Sequence, residues 1–188
     1  MSFYQTKTSV EQYISMAEGF DGRALIAHLG HYLVAGASVL EIGMGPGVDL
    51  DLLRAKYNAI GSDFSNLFLN RYQSTHPDAD LLQLDAITLD TEHNFDGIYS
   101  NKVLHHLDDA SLRKSISRQA SILSSEGVVL HSFWYGNHIE EHAGMKFHYR
   151  NEAFLLEEFS IHFEILELKK YTELEENDSI FLIGSLNS

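Results

Sequence analysis

Apolar and polar positions follow two alternating patterns along the first two-thirds of the chain. Short apolar stretches typical of buried strands are followed by segments in which apolar residues recur every three or four positions, as in helices. The predicted strands cover 38–42, 59–63, 81–85, 95–101 and 128–133. This regular alternation favours a parallel sheet with helices on both faces.

Helix signals separate these strands. Two helices are predicted within 9–35, and another follows the first strand over about 47–57. Ser65 can cap the helix after the second strand, which Pro77 ends. Asp108 can cap the helix after the fourth strand.

The last third of the chain has a different pattern. A loop rich in His and aromatic residues is predicted over 134–149, followed by a helix near 152–159. Apolar and polar residues then alternate over 161–165, and an acidic turn leads to the apolar run 180–183. Two strands joined this closely are expected to pair antiparallel.

A glycine-rich turn follows the first predicted strand. Gly43 and Gly45 allow backbone conformations that other residues avoid, so the strand ends there and a helix begins near Gly47. A strand, a glycine turn and a helix can form a nucleotide-type site at the carboxyl end of a parallel sheet. A tight turn with no ligand is the alternative interpretation.

The spacing of the glycines departs from the dinucleotide-binding fingerprint. That fingerprint requires a third glycine where this chain has Val48. Asp49 and Asp51 in the first helical turn suit the helix dipole, but they would repel a pyrophosphate at the same position. An NAD-dependent oxidoreductase is therefore kept only as an alternative.

The motif Glu41-x-Gly43-x-Gly45-x-Gly47 resembles the first motif of class I S-adenosylmethionine-dependent methyltransferases, and the chain most resembles their small type 11-like domain. Five strand–helix units followed by a hairpin also resemble that fold. The resemblance covers roughly 36–186. It implies an α/β, doubly wound, seven-stranded sheet in the order 3-2-1-4-5-7-6, with strand 7 antiparallel and helices on both faces. It also implies S-adenosylmethionine as cofactor.

The chain has no internal repeat and no Pro/Gly-rich linker, so we expect one methyltransferase domain over 1–188. Its expected parts are an N-terminal helical lid (1–35), a cofactor-binding α/β half (36–134), and a substrate loop with a C-terminal hairpin (135–188).

Acidic residues end three neighbouring strands. Asp63 lies about 20 residues after the glycine turn, where an acid can accept hydrogen bonds from both ribose hydroxyls. The alternative is that Asp63 only caps the next helix. Because parallel strands end at the same edge of a sheet, we expect Glu41, Asp63 and Asp85 to rim one cleft. A cationic, hydroxyl-rich cofactor would offset their desolvation.

The resemblance assigns further roles. It places Asp85 opposite the adenine amino group, with a backbone N–H from Ala86, although an ordinary solvated carboxylate is the alternative for Asp85. Phe64 can pack on the adenine face or belong to the core. Asn101 lies in a stretch similar to the family's fourth motif, which points Asn101, or its backbone, at the methionine end of the cofactor and at the substrate. Tyr13 is expected to fold over the cofactor or to be a core tyrosine. The predicted cofactor-binding residues are Tyr13, Glu41, Gly43, Gly45, Asp63, Phe64, Asp85, Ala86 and Asn101.

Composition limits the partners. The formal charge is −14, and the 13 Lys and Arg residues form no block, which argues against nucleic acid and anionic membranes as partners. There is no cysteine, so disulfides and thiolate chemistry are excluded. The start of the chain lacks a signal-peptide pattern, and no run of about 18 apolar residues occurs. A cytoplasmic location is the default expectation.

One histidine motif points to a different chemistry. His138-Ile139-Glu140-Glu141-His142 matches the His-x-x-Glu-His of inverzincin metalloproteases, which bind zinc from a helix. The fifth strand precedes this segment, where the resembled fold places substrate-facing loops. Solvated loop histidines or substrate contacts are therefore the preferred interpretation.

The sequence thus predicts methyl transfer by direct displacement, for which alignment of donor and acceptor is the enzyme's main task. The aromatic residues Trp134, Tyr135, Phe147 and Tyr149 suggest a small, partly apolar acceptor. If the acceptor must lose a proton, His131, His138 or His142 can serve as the base. No catalytic residue and no metal ligand is assigned, and the alternative function is a catalytically silent S-adenosylmethionine-binding domain.

Overall fold

Seven strands form one mixed sheet in the computed structural model, which describes residues 7–16 and 19–187. The strands of the described chain are β1 (Ser38–Ile42), β2 (Asn58–Asp63), β3 (Leu81–Gln83), β4 (Phe95–Asn101), β5 (Leu123–Trp134), β6 (Ile139–His142), β7 (Met145–His148), β8 (Phe163–Tyr171) and β9 (Ser179–Leu186). The helices are α1 (Lys7–Met16), α2 (Arg23–Leu29), α3 (Val48–Arg54), α4 (Asn66–Thr75), α5 (Asp109–Ile122) and α6 (Glu152–Phe159).

The order of the strands in the sheet is β3-β2-β1-β4-β5-β9-β8. The first five of these strands pair in parallel, whereas β9 runs antiparallel to both β5 and β8. This is the predicted order with the predicted antiparallel strand, so the fold class is confirmed. Parallel strands connected by helices require crossovers, and these place helices on both faces of the sheet.

Side chains from successive strand residues point to opposite faces of the sheet and build two apolar layers. Val39 and Tyr99 contribute to one layer, together with apolar residues of α2, α3 and α4. Leu40 and Ile98 contribute to the other, together with apolar residues of α5 and α6. The strand residues are therefore buried on both sides, which explains why they appear as continuous apolar runs in the sequence.

The segment predicted as a loop over 134–149 contains a hairpin instead. Strands β6 and β7 pair antiparallel, with His142 opposite Met145. The two residues between them, Ala143 (φ 52°) and Gly144 (φ 77°), both have positive φ, as a type I′ turn requires. Ala-Gly is a weak hairpin signal compared with Asn-Gly, so the sequence prediction was wrong here.

Several element boundaries also differ from the prediction. β3 ends at Gln83, so Asp85 follows the strand at a distance of two residues. β5 begins at Leu123, and Ile161 is 63 % exposed and precedes β8. Asp108 caps α5 as predicted, because its side chain accepts a hydrogen bond from the Ser111 N–H. None of the described helices is long and apolar enough to cross a bilayer.

Candidate active site

A cleft opens where β1, β2 and β4 end, and most of the predicted cofactor-binding residues line it. These are Gly43, Gly45, Asp63, Phe64, Asp85 and Ala86. The remaining lining residues are Ile42, Phe68, Leu84, Lys102, Val103, His106 and Leu107. The wall is thus mainly apolar, with two carboxylates at its edge.

The glycine turn is shaped by its backbone and by close neighbours. Gly43, Gly45 and Gly47 have φ values of 70°, 49° and 90°. A Cβ atom on Gly43 would lie 2.6 Å from Val103 Cγ1, and one on Gly47 would lie 2.2 Å from Tyr72 Cδ2. Side chains are therefore excluded from the turn by strain and by contact, which leaves its backbone open to the cleft.

Asp63 connects β2 to the glycine turn. Its Oδ2 accepts from the Gly45 N–H (3.0 Å), and its Oδ1 accepts from the Ser65 N–H at the start of α4 (2.7 Å). Burial raises the pKa of Asp63, although the two N–H groups act in the opposite direction. Each carboxylate oxygen accepts up to two hydrogen bonds, so both can still accept from a ligand. Asp63 thus holds the turn and remains available to a ligand.

Glu41 lies beneath the glycine turn. It is 3 % exposed, and its Oε2 atom is buried without a hydrogen-bond partner. Burial, and then the charges of Asp49, Asp63 and Asp51, raises the pKa of Glu41 well above its ordinary value. The expectation that Glu41 rims the cleft with Asp63 and Asp85 was therefore wrong for Glu41, because its strand position faces inward.

The donors and acceptors of this cleft fit a cationic, hydroxyl-bearing ligand better than a phosphate. The two rim carboxylates, Asp63 and Asp85, would repel a pyrophosphate, whereas a cation and hydroxyl groups would satisfy them. The apolar lining suits a flat ring such as adenine. The residues present thus fit the predicted nucleoside cofactor.

The segment around Asp85 is fixed by local hydrogen bonds. Asp85 Oδ1 accepts from the Ile87 N–H (2.7 Å), and the Ala86 carbonyl accepts from the Ser115 hydroxyl of α5 (2.6 Å). Phe64 is 43 % exposed at the cleft and is not a core residue. Local hydrogen bonds therefore fix Asp85 and Ala86 at the cleft, and Phe64 is exposed there.

The side chain of Asn101 is held by two neighbouring side chains. Its Nδ2 donates to Asp49 Oδ2 (3.1 Å), and its Oδ1 accepts from the Ser132 hydroxyl (2.5 Å). Asn101 does not belong to the lining of the cleft. For Tyr13, the structure gives its place in α1, and its side chain lies outside the described residues.

Asp49 is a buried hub that sequence reasoning did not identify. It accepts from the Gly22 N–H (2.6 Å), the Tyr99 hydroxyl (2.7 Å) and the Asn101 amide. These contacts attach the segment that precedes α2 to the sheet, beside the glycine turn. The sequence signal, an acid in the first turn of a helix, predicted only a favourable interaction with the dipole.

The family model of a methyltransferase domain matches residues 18–173 of this chain. The chain belongs to this methyltransferase family. No curated protein matches the chain. The predicted family and enzyme class, a class I S-adenosylmethionine-dependent methyltransferase, are therefore confirmed.

Solved structures share the fold of this methyltransferase at low sequence identity. A 1,6-didemethyltoxoflavin-N1-methyltransferase from Burkholderia thailandensis, solved with bound 1,6-didemethyltoxoflavin and S-adenosylhomocysteine, has a TM-score of 0.79 at 18% identity, over 96% of this chain and 85% of that one. An S-adenosylmethionine-dependent methyltransferase from Clostridium acetobutylicum has a TM-score of 0.76 at 13% identity, over 95% and 99%. The N-methyltransferase NodS from Bradyrhizobium japonicum, solved with S-adenosylhomocysteine, has a TM-score of 0.75 at 14% identity, over 96% and 98%.

Lys102 lines the cleft and lies in a buried cluster of aromatic and polar groups that the sequence did not indicate. It follows β4 with a φ of 55°, and its ammonium lies 3.4 Å from the centre of the Trp134 ring. The ammonium donates to the Phe133 carbonyl (3.1 Å) and the Ser179 hydroxyl (2.6 Å), and it lies 3.3 Å from the Glu173 carboxylate. Burial lowers the pKa of Lys102 to about 8. Its partners are distant in sequence, so no local motif indicates this cluster.

The histidines of the methyltransferase divide into buried and exposed groups. His131 is fully buried between Ser100 and Gln119, and burial lowers its pKa to about 3, so it cannot be the base that the sequence suggested.

His138 and His142 are exposed, and His142 lies on β6, a strand instead of the helix that the inverzincin motif requires. His106 lines the cleft, and its Nδ1 donates to the Lys146 carbonyl (3.0 Å).

Proposed function

We propose that this methyltransferase transfers a methyl group from S-adenosylmethionine to a small, partly apolar acceptor by direct displacement. The observation that carries the proposal is the position of Asp63, which holds the glycine turn and faces an apolar cleft at the same edge of the sheet. Bound S-adenosylmethionine supplies a methyl group already activated by a sulfonium. The chain itself must then bind, align and exclude water.

The proposed cofactor contacts follow from the places of the side chains. Asp63 binds the ribose hydroxyls, and Asp85 and Ala86 bind the adenine edge. Phe64 lies against the adenine face, and the backbone at Gly43 and Gly45 lines the same cleft. These roles are supported by the shared cleft and by the exposure of Phe64.

Three further residues have less direct proposed roles. Glu41 is proposed to support the glycine turn, because its side chain is buried and does not line the cleft. Asn101 positions Asp49 and thereby the segment before α2. Tyr13 is proposed to lie over the cofactor. It would belong to a helical lid formed by residues 1–35, and the whole chain, 1–188, is proposed to form a single domain. The cytoplasmic location stays a prediction from the sequence.

The acceptor is proposed to lie beside the hairpin of β6 and β7. Phe147 of β7 packs against His105 and His106, and His106 also lines the cofactor cleft. The hairpin is therefore adjacent to the cleft through His106. The Burkholderia neighbour, which binds the small heterocycle 1,6-didemethyltoxoflavin, supports an acceptor of this size.

Calorimetric titration with S-adenosylmethionine and S-adenosylhomocysteine tests the cofactor assignment. We expect micromolar binding, roughly −8 kcal/mol. Asp63→Ala should weaken binding by about 1–3 kcal/mol, because ribose hydroxyls would lose their acceptor. Asp90→Ala removes an exposed acid outside the cleft and should leave binding unchanged.

The absence of heat with both ligands, in folded protein, would contradict the proposal. Transfer of label from the methyl group of S-adenosylmethionine to a panel of small heterocyclic and aromatic acceptors tests the reaction itself. Binding without turnover on the whole panel would favour the catalytically silent alternative.

A further inference from the structure

A cluster of metal-ligating side chains forms outside the cofactor cleft. His28 lies in the last turn of α2, His31 in the turn that follows, and Glu167 on β8. One nitrogen of each imidazole and one oxygen of the carboxylate all lie within 4.8 Å of one another. None of the three residues lines the cofactor cleft.

His28 carries the main evidence. Its Nδ1 atom is inaccessible to solvent and makes no hydrogen bond, although it lies 3.2 Å from Glu167 Oε2. The ring is held against Phe181, with ring centres 4.8 Å apart. A buried ring nitrogen without a hydrogen-bond partner is costly, and a ligand that binds its lone pair would offset that cost.

Glu167 is placed by an irregularity of the sheet. The pairing of β8 with β9 shifts register between Ile165 and Glu167, which marks a β-bulge, and bulges re-aim side chains. The Glu167 side chain is 8 % exposed. Its Oε1 accepts from the Tyr32 hydroxyl at 3.0 Å, and this contact orients the carboxylate.

We propose that His28, His31 and Glu167 form a binding site for a first-row transition-metal dication of the Zn²⁺ class. Two imidazoles and one carboxylate are ligands that suit Zn²⁺ and disfavour Mg²⁺ and Ca²⁺. The 3.2 Å between His28 Nδ1 and Glu167 Oε2 matches the separation of about 3.3 Å between two ligand atoms on tetrahedral zinc. His31 is exposed and can rotate to complete the set.

A cation already occupies part of this position. The Lys169 ammonium lies 2.5 Å from Glu167 Oε2, and its side chain is 57 % exposed. A metal ion would replace this ammonium as the counter-charge of the largely buried carboxylate, and the Lys169 side chain, which is already more than half exposed, can then turn into solvent. Lys169 therefore competes with the metal.

The metal would connect two parts of the fold. α2 follows the segment that Asp49 anchors beside the cofactor cleft, and β8 is one of the two edge strands of the seven-stranded sheet. A metal bridge between them would stabilise the packing of α2 without entering the methyl-transfer chemistry. The chain has 11 histidines, and this assignment gives two of them a defined role.

The test is a titration of tag-free, chelator-treated full-length protein with ZnCl₂ near neutral pH, followed by calorimetry and by the melting temperature. We expect one Zn²⁺ per chain and a rise in the melting temperature, since binding to the native state alone stabilises it. His31→Ala should weaken binding at least tenfold. His93→Ala, which removes another exposed histidine, should leave binding unchanged.

Lys169→Ala should change the Zn²⁺ affinity in the direction opposite to His31→Ala. Removal of the competing ammonium should tighten Zn²⁺ binding several-fold. Co²⁺ in place of Zn²⁺ should give an absorption spectrum that His31→Ala abolishes and Lys169→Ala preserves. Failure of Zn²⁺ to bind, binding that His138→Ala weakens as much as His31→Ala does, or weaker binding in Lys169→Ala would each overturn the proposal.

Discussion

At the scale of single residues, the structure shows that carboxylates at the same sheet edge perform different tasks. Asp63 and Asp85 lie at the rim of the cleft, whereas Asp49 is 8 % exposed and receives three hydrogen bonds. The difference is due to the donors that surround each acid. Asp49 binds the N–H of Gly22 and the fully buried hydroxyl of Tyr99, so it acts as a structural anchor.

Asp49→Ala should destabilise the protein by about 2 kcal/mol. Removal of the carboxylate leaves the Tyr99 hydroxyl and the Gly22 N–H without an acceptor, which costs about 1–3 kcal/mol for each buried group. Relief of the repulsion between Asp49 and Glu41 offsets part of this loss. Urea denaturation of the variant and the parent measures the difference.

Asp51→Ala is the matched control for that measurement. Asp51 lies in the same helical turn, but it accepts one hydrogen bond, from the Tyr72 hydroxyl, and its side chain is 55 % exposed. Its replacement should cost about 1 kcal/mol or less. Equal losses for the two variants would show that Asp49 is not the anchor described above.

At the scale of elements, the hairpin of β6 and β7 shows how a weak local signal can still give regular structure. Ala143 has a φ of 52°, a conformation that costs a non-glycine residue about 1–2 kcal/mol. Contacts of Phe147 with His105 and His106 offset this strain. Tertiary packing therefore decides that the segment is a hairpin.

Ala143→Asn should stabilise the hairpin locally, since Asn tolerates the left-handed conformation better than Ala. A gain of about 0.5–1 kcal/mol corresponds to about two- to fivefold slower hydrogen exchange of the amides in β6 and β7. Gly144→Ala should have the opposite effect, because φ is 77° there while no atom lies within 4 Å of an added Cβ. Unchanged exchange in both variants would contradict the assigned turn.

At the scale of the whole molecule, a buried hydrogen-bond chain connects two neighbouring strands of the sheet to a helix and to the edge of the cleft. His131 of β5 pairs with the Ser100 hydroxyl of β4 (2.8 Å) and with Gln119 Oε1 of α5 (2.7 Å). Gln119 donates to the Ser115 hydroxyl, which donates to the Ala86 carbonyl at the cleft. Protonation of His131 would therefore disturb several elements together.

Stability should fall as the pH falls from about 6.5 towards 3. Burial lowers the pKa of His131 to about 3, so the unfolded chain binds a proton in this range that the native state does not bind. Between about pH 7 and pH 4.5 this single group accounts for a loss of about 2–3 kcal/mol. His131→Gln should reduce the pH dependence of urea denaturation by that amount.

His93→Gln is the control for an exposed histidine and should leave the pH dependence unchanged. Glu41 acts with the opposite sign, because its raised pKa removes stability as the pH rises above the unfolded value. The His131 contribution must therefore be taken as the difference in the pH dependence of the unfolding free energy between His131→Gln and the parent protein. An identical pH dependence in both proteins would contradict a neutral, buried His131.

The sequence pattern was sufficient for the parallel sheet and for most of the cleft, and the resemblance to class I methyltransferases supplied the strand order. Strand–helix alternation dictates a parallel sheet, and a glycine turn after the first strand places Gly43, Gly45, Asp63 and Asp85 at one edge. The inward position of Glu41 was not predictable from its spacing, since the same spacing fits a residue at the rim or beneath it.

The sequence by itself determined the fold class, the family and the edge of the sheet where the cleft opens, because periodicity and glycine spacing are local properties of the chain. Only the tertiary structure decided which polar groups meet across long separations. Lys102 reaches Ser179, Asp49 reaches Tyr99, and His28 reaches Glu167 through the packing of elements. Such long-range contacts depend on how whole strands and helices pack, and no short stretch of sequence encodes that packing.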